Sequence, residues 1–242
     1  MQERTQFVRV KNTNSTCRIL NAGTPQGTRS GPNDFKLLIN DLSFDIDYAK
    51  YVDDTTVVSV SSDPGDRSLQ SAADRLLDWC VDNHMQINAK KTKEMVIYFG
   101  KKFAKDAVPF VTFTSDQIER VDTFKLLGVM FSSDLSWGPH VLYLLSKVSK
   151  RYYLIFQLAR VGVAQHDIIL IYCAIIRSVL EYACAVWHSG LTSAQSNDIE
   201  RVQKRCLRII FPELSYSDAL FVAGLDRLSV RREQIVRDTF KN

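Results

Sequence analysis

The sequence predicts an α+β fold in which a mixed segment, residues 1–138, precedes an all-helical segment, residues 139–242. Before Pro139, short runs rich in β-branched and aromatic residues alternate with apolar stripes at helical spacing. After Pro139 the apolar residues recur every three or four positions, which predicts helices over 141–160, 166–187, 194–210 and 227–240. This change of pattern places the predicted domain boundary near Trp137 to His140.

The first segment predicts a strand–turn–strand unit over residues 5–22, with Gln6–Val10 and Cys17–Leu20 as its arms. A loop rich in glycine and proline follows over residues 23–32, where a backbone can approach a ligand closely. The remaining predicted elements are helices over about 33–42 and up to about 83, and strands over Met95–Phe99, near 108–113 and near 124–131.

Composition excludes some classes of protein. The 45% apolar and 24% charged residues are ordinary for a globular domain. Five cysteines without a Cys-x-x-Cys pair argue against a disulfide framework or a zinc site. No signal peptide is visible, and the nine-residue apolar run Ile168–Ile176 is too short to span a bilayer. We therefore expect an intracellular chain, nuclear or cytoplasmic, without a membrane segment, and the sequence does not indicate its oligomeric state.

The net charge of +4 is too small to establish a nucleic-acid partner, so the positions of the basic residues are more informative about possible partners. A solvated helix face is the usual explanation of any single basic cluster, but basic residues on several successive predicted elements favour a polyanion-binding surface. On one predicted helix, four of them share a stripe at i, i+3, i+4 and i+7, opposite the apolar Ile199, Val202, Cys206 and Ile209. The candidate nucleic-acid-binding residues are Lys147, Lys150, Arg201, Lys204, Arg205 and Arg208.

Two adjacent carboxylates in Tyr51-Val52-Asp53-Asp54 interrupt a pair of predicted strands. Aspartate is a poor strand residue and neighbouring anions repel, so the pair requires an explanation. A polar hairpin turn is one, and a divalent metal ion that neutralises both charges is the other. These residues alone leave both interpretations open.

Five motifs in order resemble the reverse transcriptases of non-LTR (LINE-type) retrotransposons. They lie within residues 4–235 and are Gly23-Thr24-Pro25-Gln26-Gly27 with Asn40-Asp41-Leu42, Tyr51-Val52-Asp53-Asp54, Trp79 with Asn88 to Met95, Phe124 to His140, and Leu180 to Trp187 with Arg201 to Ile210.

The resemblance implies a partial polymerase palm, an antiparallel sheet with helices on one face, over 1–138, and a helical thumb-like region over 139–242. It implies an RNA-directed DNA polymerase that copies an RNA template from a DNA primer with deoxynucleotides (dNTP) and two Mg²⁺ or Mn²⁺ ions. Asp53 corresponds to the main metal ligand and Asp54 to the auxiliary one, while Gln26, Gly27 and Tyr51 correspond to the nucleotide pocket.

Lys91 corresponds to a catalytic lysine that neutralises phosphate charge or acts as general acid. A surface lysine is an equally good interpretation of Lys91, and Lys90 is the alternative candidate for the same role. For Trp137 and Trp187, we expect positions in the core rather than stacking on primer bases.

Departures from the family pattern lead to a second hypothesis, a catalytically dead remnant that at most binds nucleic acid. The family's third carboxylate lies upstream of the residue 5–22 unit, so we expect an incomplete palm that is inactive in isolation. Asn33, Asp34 and Lys36 are polar where the family is apolar, and we expect a cost if they are buried. The charged Asp45, Asp47 and Lys50 in a normally apolar strand also indicate a drifting copy.

Overall fold

The computed structural model describes residues 4–20, 31–100, 107–114 and 116–241. The chain divides into two compact units. The first unit comprises Met1–Glu94 with Gly100–Arg120, and the second, called the helical unit below, comprises Met95–Phe99 with Val121–Asn242. The mixture of helices and short strands agrees with the α+β class. The predicted boundary near residues 137–140 stays a prediction.

The strands of the described residues are short and pair two by two. They are β1 Arg4–Gln6, β2 Arg9–Val10, β3 Thr13–Asn14, β4 Arg18–Leu20, β5 Asp47–Tyr51, β6 Asp54–Val58, β7 Lys93–Glu94, β8 Thr112–Phe113, β9 Asp116–Gln117, β10 Glu119–Arg120, β11 Thr123–Leu126 and β12 Val129–Ser132. The pairs β1–β4, β2–β3, β5–β6, β8–β9 and β11–β12 are antiparallel, whereas β7–β10 is parallel. Because these pairs do not merge into one sheet in the described ranges, the palm arrangement stays a prediction.

The helices are α1 Gly31–Ile39, α2 Ser68–Asp82, α3 Gly138–Ser149, α4 Tyr152–Arg160, α5 Gln165–Tyr172, α6 Ser178–Glu181, α7 Cys184–Trp187, α8 Ser193–Ile210, α9 Tyr216–Ala223 and α10 Leu228–Thr239. A π-helical stretch, Cys173–Arg177, joins α5 to α6, and a 3₁₀ turn, His188–Gly190, follows α7. The pattern of the sequence located α2 and α8 closely, but it did not indicate α9.

The predicted strand Met95–Phe99 is wrong, because the strand there is Lys93–Glu94 and ends before the apolar run. Ion pairs fix this earlier register: the Arg120 guanidinium donates to both Glu94 carboxylate oxygens at 3.1 Å, and Lys93 pairs with Glu119. The predicted strand near 108–113 is also shorter than expected and consists of Thr112–Phe113. The Gln70 side chain accepts from the Thr112 N–H at 2.9 Å and donates to the Thr112 carbonyl at 3.0 Å.

Helix α1 does not bury the polar residues that the sequence placed against a core. Asn33 and Lys36 are exposed, so the expected desolvation cost does not arise, whereas the side chain of Asp34 lies outside the described residues. Phe35 and Leu38 are half-buried, as their helical spacing predicts. The polar positions of α1 are therefore no evidence of a damaged fold.

The core of the helical unit is built on a ridge that runs through α5, the π-helical stretch, α6 and α7. Its buried members lie four residues apart and then three: Ile168, Tyr172, Ile176, Leu180, Cys184 and Trp187. In an ideal α-helix, residues spaced by four drift about 40° per step around the axis. The wider π-turn at Cys173–Arg177 reduces that drift and keeps the ridge on one side. Trp187 is in the core, as predicted, and Trp137 packs against it half-buried.

One stretch, Gln165–Gly190, is long and apolar enough to cross a membrane by length and composition alone. This is weak evidence, because a core helix of a soluble protein passes the same test. The stretch also carries the buried ridge, and its backbone turns at Tyr182–Ala183, where Ala183 has a φ of 50°. The prediction that the chain lacks a membrane segment stays a prediction.

In the helical unit, residues of the Phe124–His140 motif contact one another and the Leu180–Trp187 motif. The turn of the β11–β12 hairpin contains Gly128 at φ +88°, and a Cβ there would lie 3.0 Å from the Tyr182 ring, so the turn requires glycine. The Tyr182 hydroxyl donates to the Leu127 carbonyl at 2.9 Å. His140 is buried on α3 and its Nδ1 accepts from the Met130 N–H at 3.2 Å. Burial lowers the pKa of His140 to about 4, which keeps the imidazole neutral and able to accept that bond.

A buried amide, Gln203 of α8, joins three other elements of the helical unit. Its Oε1 accepts from the Tyr172 hydroxyl at 2.8 Å. Its Nε2 donates to the Tyr216 hydroxyl at 3.1 Å and to the Asp226 carbonyl at 2.9 Å. These bonds link α8 to α5, to α9 and to the segment before α10.

We expect Gln203→Leu to lower the free energy of unfolding by about 2–3 kcal/mol, because it leaves buried polar atoms without partners. Urea denaturation followed by circular dichroism measures this loss. The matched control is Gln234→Leu on α10, where the amide contacts the exposed Asp238 and the expected change is below about 0.5 kcal/mol. Equal effects of the two substitutions would contradict the role of Gln203.

Candidate active site

The β5–β6 hairpin closes through the shortest common type of turn. Its register runs from Asp47 opposite Val58 to Tyr51 opposite Asp54, which leaves only Val52 and Asp53 in the turn. Two-residue turns require positive φ and usually contain glycine or asparagine. Here Val52 adopts a φ of 55°, a region that sterically disfavours β-branched residues. Strain of this kind costs about 1–3 kcal/mol and is typically found at functional sites.

Both carboxylates of the pair lie at this turn and both are exposed. Asp53 occupies the turn itself, and Asp54 is the first residue of β6, opposite the exposed Tyr51. Adjacent residues within one strand direct their side chains to opposite faces. Asp53 lies in the turn and not in a strand, so this alternation does not apply to the pair. The pair is therefore accessible to a ligand from solvent.

The donor atoms fit part of a magnesium site. Carboxylate oxygens are the hard ligands that Mg²⁺ prefers, and Mg²⁺ is usually bound through one or two carboxylates together with phosphates and water. Within the described ranges there is no group of three or more His, Cys, Asp or Glu side chains arranged to hold a metal ion. Asp53 and Asp54 by themselves are therefore no complete metal site, and the prediction that they bind a metal ion requires further ligands.

Lys50 fixes the hairpin to the end of α1. Its ammonium group donates to the carbonyls of Ile39 and Leu42, each at 2.7 Å, and to that of Asn40 at 3.4 Å. The last carbonyls of a helix lack partners within the helix and carry partial negative charge, so a cation stabilises them. Lys50 therefore has partners in the fold, whereas its interpretation as a sign of a drifting copy stays a prediction.

A second set of contacts ties the segment between α1 and β5 to helix α2. The Trp79 indole N–H donates to Asp41 at 3.0 Å, and Arg75 forms an ion pair with Asp45 at 2.9 Å. Leu42 and Phe44 are buried beside α2 in a small apolar cluster. Asp45, like Lys50, has a partner, and Asp47 is exposed, so neither carboxylate is buried without a partner.

Lys91 lies in a turn that Asn88 organises. The Asn88 carbonyl accepts from the N–H groups of Lys91 and Thr92, both at 3.0 Å, and from the Thr92 hydroxyl at 3.1 Å. Lys90 and Lys91 are both exposed, so neither candidate is excluded. Among the hydrogen bonds and ion pairs of the described residues, none joins Lys91 to the Asp pair. Gln26 and Gly27 lie outside the described residues, and their roles stay predictions.

The basic residues of α8 share one exposed face, as the spacing predicts. Arg201, Lys204, Arg205 and Arg208, called the basic stripe below, are exposed, whereas Ile199, Val202 and Cys206 are buried on the opposite face. Arg201 pairs with Asp198. Lys204 and Arg205 lie over the rings of Tyr216 and Tyr152, 5.2 and 4.7 Å from the ring centroids.

Lys147 and Lys150 are exposed at the end of α3, in the same unit. The structure thus places all six predicted nucleic-acid-binding residues on the surface of the helical unit. Binding itself stays a prediction, because a solvated face has the same appearance.

Sequence reasoning missed two features of the site. The first is the capping lysine, Lys50, whose partners come from another motif and leave no local signal. The second is the strain at Val52, although a valine beside the Asp pair in so short a turn is itself a signal.

Comparison with known proteins gives one family. A family model described as reverse transcriptase (RNA-dependent DNA polymerase) matches residues 2–131, more than half of the chain. This range contains the hairpin, Lys50 and Lys91.

Similar curated proteins come from insect transposons. The chain is 23% identical over 227 residues to the probable RNA-directed DNA polymerase from transposon BS of Drosophila melanogaster, covering 87% of this chain and 24% of that protein. It is 25% identical over 226 residues to the RNA-directed DNA polymerase from mobile element jockey of the same species, with the same coverage.

A third relative is the retrovirus-related Pol polyprotein from type-1 retrotransposable element R1 of Bradysia coprophila, 22% identical over 200 residues, covering 78% of this chain and 19% of that protein. The chain spans about a quarter of the length of the first two relatives. No solved structure matches it. Together with the ordered motifs around Asp53 and Asp54, these matches establish that the chain belongs to the reverse transcriptase family, and to its non-LTR (LINE-type) retrotransposon kind.

Proposed function

We propose that residues 1–138 are a polymerase palm and residues 139–242 a thumb-like region, and that the Asp53–Asp54 hairpin is the metal-binding centre of RNA-directed DNA synthesis. The observation that carries this proposal is the pair of exposed carboxylates at the two-residue turn, within the range that the family model matches. Val52 supplies the positive φ of this turn, as Leu127 does in the two-residue turn of β11–β12, so the carboxylates and not the strain distinguish the hairpin.

In the proposed site, Asp53 is the main metal ligand and Asp54 the auxiliary one. Bound Mg²⁺ or Mn²⁺ would stabilise the attacking and leaving oxygens of an in-line phosphoryl displacement. The site would hold two ions if a third carboxylate completed it. Lys50 holds the hairpin through the α1 carbonyls, so the two carboxylates keep their position when a charged substrate arrives. Tyr51, which is exposed beside the turn, borders the nucleotide. The family resemblance assigns Gln26 and Gly27 to the same nucleotide pocket.

The proposed substrates are an RNA template, a DNA primer and dNTP. Lys91 neutralises charge on the leaving pyrophosphate or protonates it, from a turn that Asn88 fixes. A cellular location in the nucleus or the cytoplasm is consistent with these partners.

The second candidate function is nucleic-acid binding without catalysis. The observation that favours it is the basic stripe, which is exposed along one face of α8. The two candidates differ in one respect: catalysis requires the carboxylates of the first unit, whereas binding requires the cations of the helical unit.

We expect this chain to bind Mn²⁺ weakly, with a dissociation constant on the order of millimolar, and Asp53→Asn to weaken the binding several-fold, because a carboxylate ligand is lost. Electron paramagnetic resonance of free Mn²⁺ measures the bound fraction. Asp47→Asn is the matched control, an exposed carboxylate at the far end of the same hairpin that should leave binding unchanged. Equal loss in both variants would show a diffuse acidic surface and exclude the hairpin as the site.

For catalysis, we expect no primer extension by this chain alone with RNA template, DNA primer, dNTP and Mg²⁺. The reason is that the described residues offer two adjacent carboxylates and no cluster of three. Gel electrophoresis of a labelled primer measures extension. Extension that Asp53→Asn abolishes would rule out the dead remnant and show that the chain is an active polymerase.

For binding, we expect micromolar or weaker affinity that falls with salt, since phosphate contacts release counterions. Lys204→Ala with Arg208→Ala should reduce the slope of log K against log[salt] by about 2, one unit per lost phosphate contact. Fluorescence anisotropy between 50 and 200 mM salt measures the slope. The control, Arg237→Ala, removes an exposed arginine of α10 that is paired with Glu233 and should leave the slope unchanged. Affinity independent of salt would contradict the role of the basic stripe.

A further inference from the structure

A surface groove of the helical unit combines exposed aromatic rings with one of the cations of the basic stripe. It lies between the end of α3, helix α4 and helix α8, and it is lined by Ser149, Tyr152, Tyr153, Phe156, Arg205 and Ile209. We call it the aromatic groove. No acidic side chain is among these six described residues.

Helix α4 presents two large rings to solvent. Tyr153 is 69% exposed and Phe156 is 51% exposed, and with Arg160 they follow one another at i, i+3 and i+7 on one helical face. The opposite side of α4 carries Ile155, which is fully buried in the core of the unit. The orientation of α4 is therefore fixed by its buried side, and the exposure of the two rings is a consequence of that packing. Contiguous exposed apolar surface beside polar residues is typical of a binding site.

The charge beside the rings is positive. Arg205 lines the aromatic groove and lies with its guanidinium 4.7 Å from the centroid of the Tyr152 ring. The neighbouring Lys204 and Arg208 are exposed on the same helix, one position before and three positions after Arg205. An occupant that combines flat faces with negative charge therefore complements the groove and the adjacent basic stripe. An apolar peptide lacks that charge, whereas a nucleic acid carries a flat base and a phosphate in every nucleotide.

We propose that the aromatic groove binds unpaired bases of a single-stranded nucleic acid, which stack on Tyr153 and Phe156 while Arg205 and the basic stripe contact the phosphates between them. Aromatic side chains next to a basic track are the combination by which proteins hold single strands without reading sequence. The inference rests on the proposed nucleic-acid binding of the basic stripe and deepens it, since it predicts a preference for single strands that carry bases.

The test compares two DNA oligomers of equal length and charge, an oligodeoxyadenylate and a fully abasic strand, with the full chain of 242 residues. The wild-type chain should bind the base-bearing strand at least about tenfold more tightly, because stacking adds to the phosphate contacts. Tyr153→Leu with Phe156→Leu should remove this preference and leave the affinity for the abasic strand unchanged.

Two matched variants accompany the test. Phe221→Leu replaces a ring on α9 that is 88% exposed and lies outside the aromatic groove, and it should keep the preference. Tyr153→Phe keeps a ring for stacking and should also keep it. The comparison of the two strands on the wild-type chain requires no variant, so a folding defect cannot obscure the result.

Each contrary outcome has a separate meaning. Equal wild-type affinity for both strands would overturn the stacking proposal and leave the basic stripe as a phosphate-binding surface. The absence of salt-dependent binding to either strand would overturn the proposed nucleic-acid binding and this inference with it. Sedimentation of the chain without nucleic acid covers the remaining case: a wild-type dimer that the double variant abolishes would assign the groove to a second copy and overturn the proposal.

Discussion

The candidate site depends on the bonds from the Lys50 ammonium group to the carbonyl of Ile39, the last residue of α1, and to that of Leu42 in the segment after it. The hairpin that carries Asp53 and Asp54 is a two-stranded ribbon, and such a ribbon is marginally stable by itself in water. It also contains the strained Val52. The ribbon keeps its strained turn because Lys50 holds one strand against α1, while Leu42 and Phe44 bury the preceding segment beside α2.

Several residues through which the chain resembles its family act on one another and not on a substrate. Asp41 accepts from Trp79, which joins two motifs of the first unit. In the helical unit, Gly128 leaves room for the ring of Tyr182. The neutral imidazole of His140 accepts a hydrogen bond from the Met130 N–H. A match in sequence at these positions is therefore evidence for a shared fold, whereas evidence for chemistry comes from the exposed Asp pair alone.

Features that depend on local periodicity could be predicted from the sequence. The buried and basic faces of α8 are of this kind, because spacing along one helix determines which side chains share a face. The hairpin at Asp53–Asp54 could be predicted because two strand-like runs flank a polar pair. Features that depend on a distant partner could not be predicted. The apolar run Met95–Phe99 has strong strand propensity, yet the ion pair of Glu94 with Arg120 fixes the pairing just before it.

In the sequence alone, the charges of Asp45, Asp47 and Lys50 indicate a drifting copy. Their contacts show whether this part of the fold is intact. A random acidic or basic substitution in a packed strand leaves a desolvated charge without a partner, at a cost of several kcal/mol. Lys50 and Asp45 are instead half-buried or exposed and each has a partner at 2.7–2.9 Å. These charges contribute to the placement of the hairpin. This part of the fold therefore gives no reason for inactivity, and inactivity of the chain would have to arise from ligands that the Asp pair lacks among the described residues.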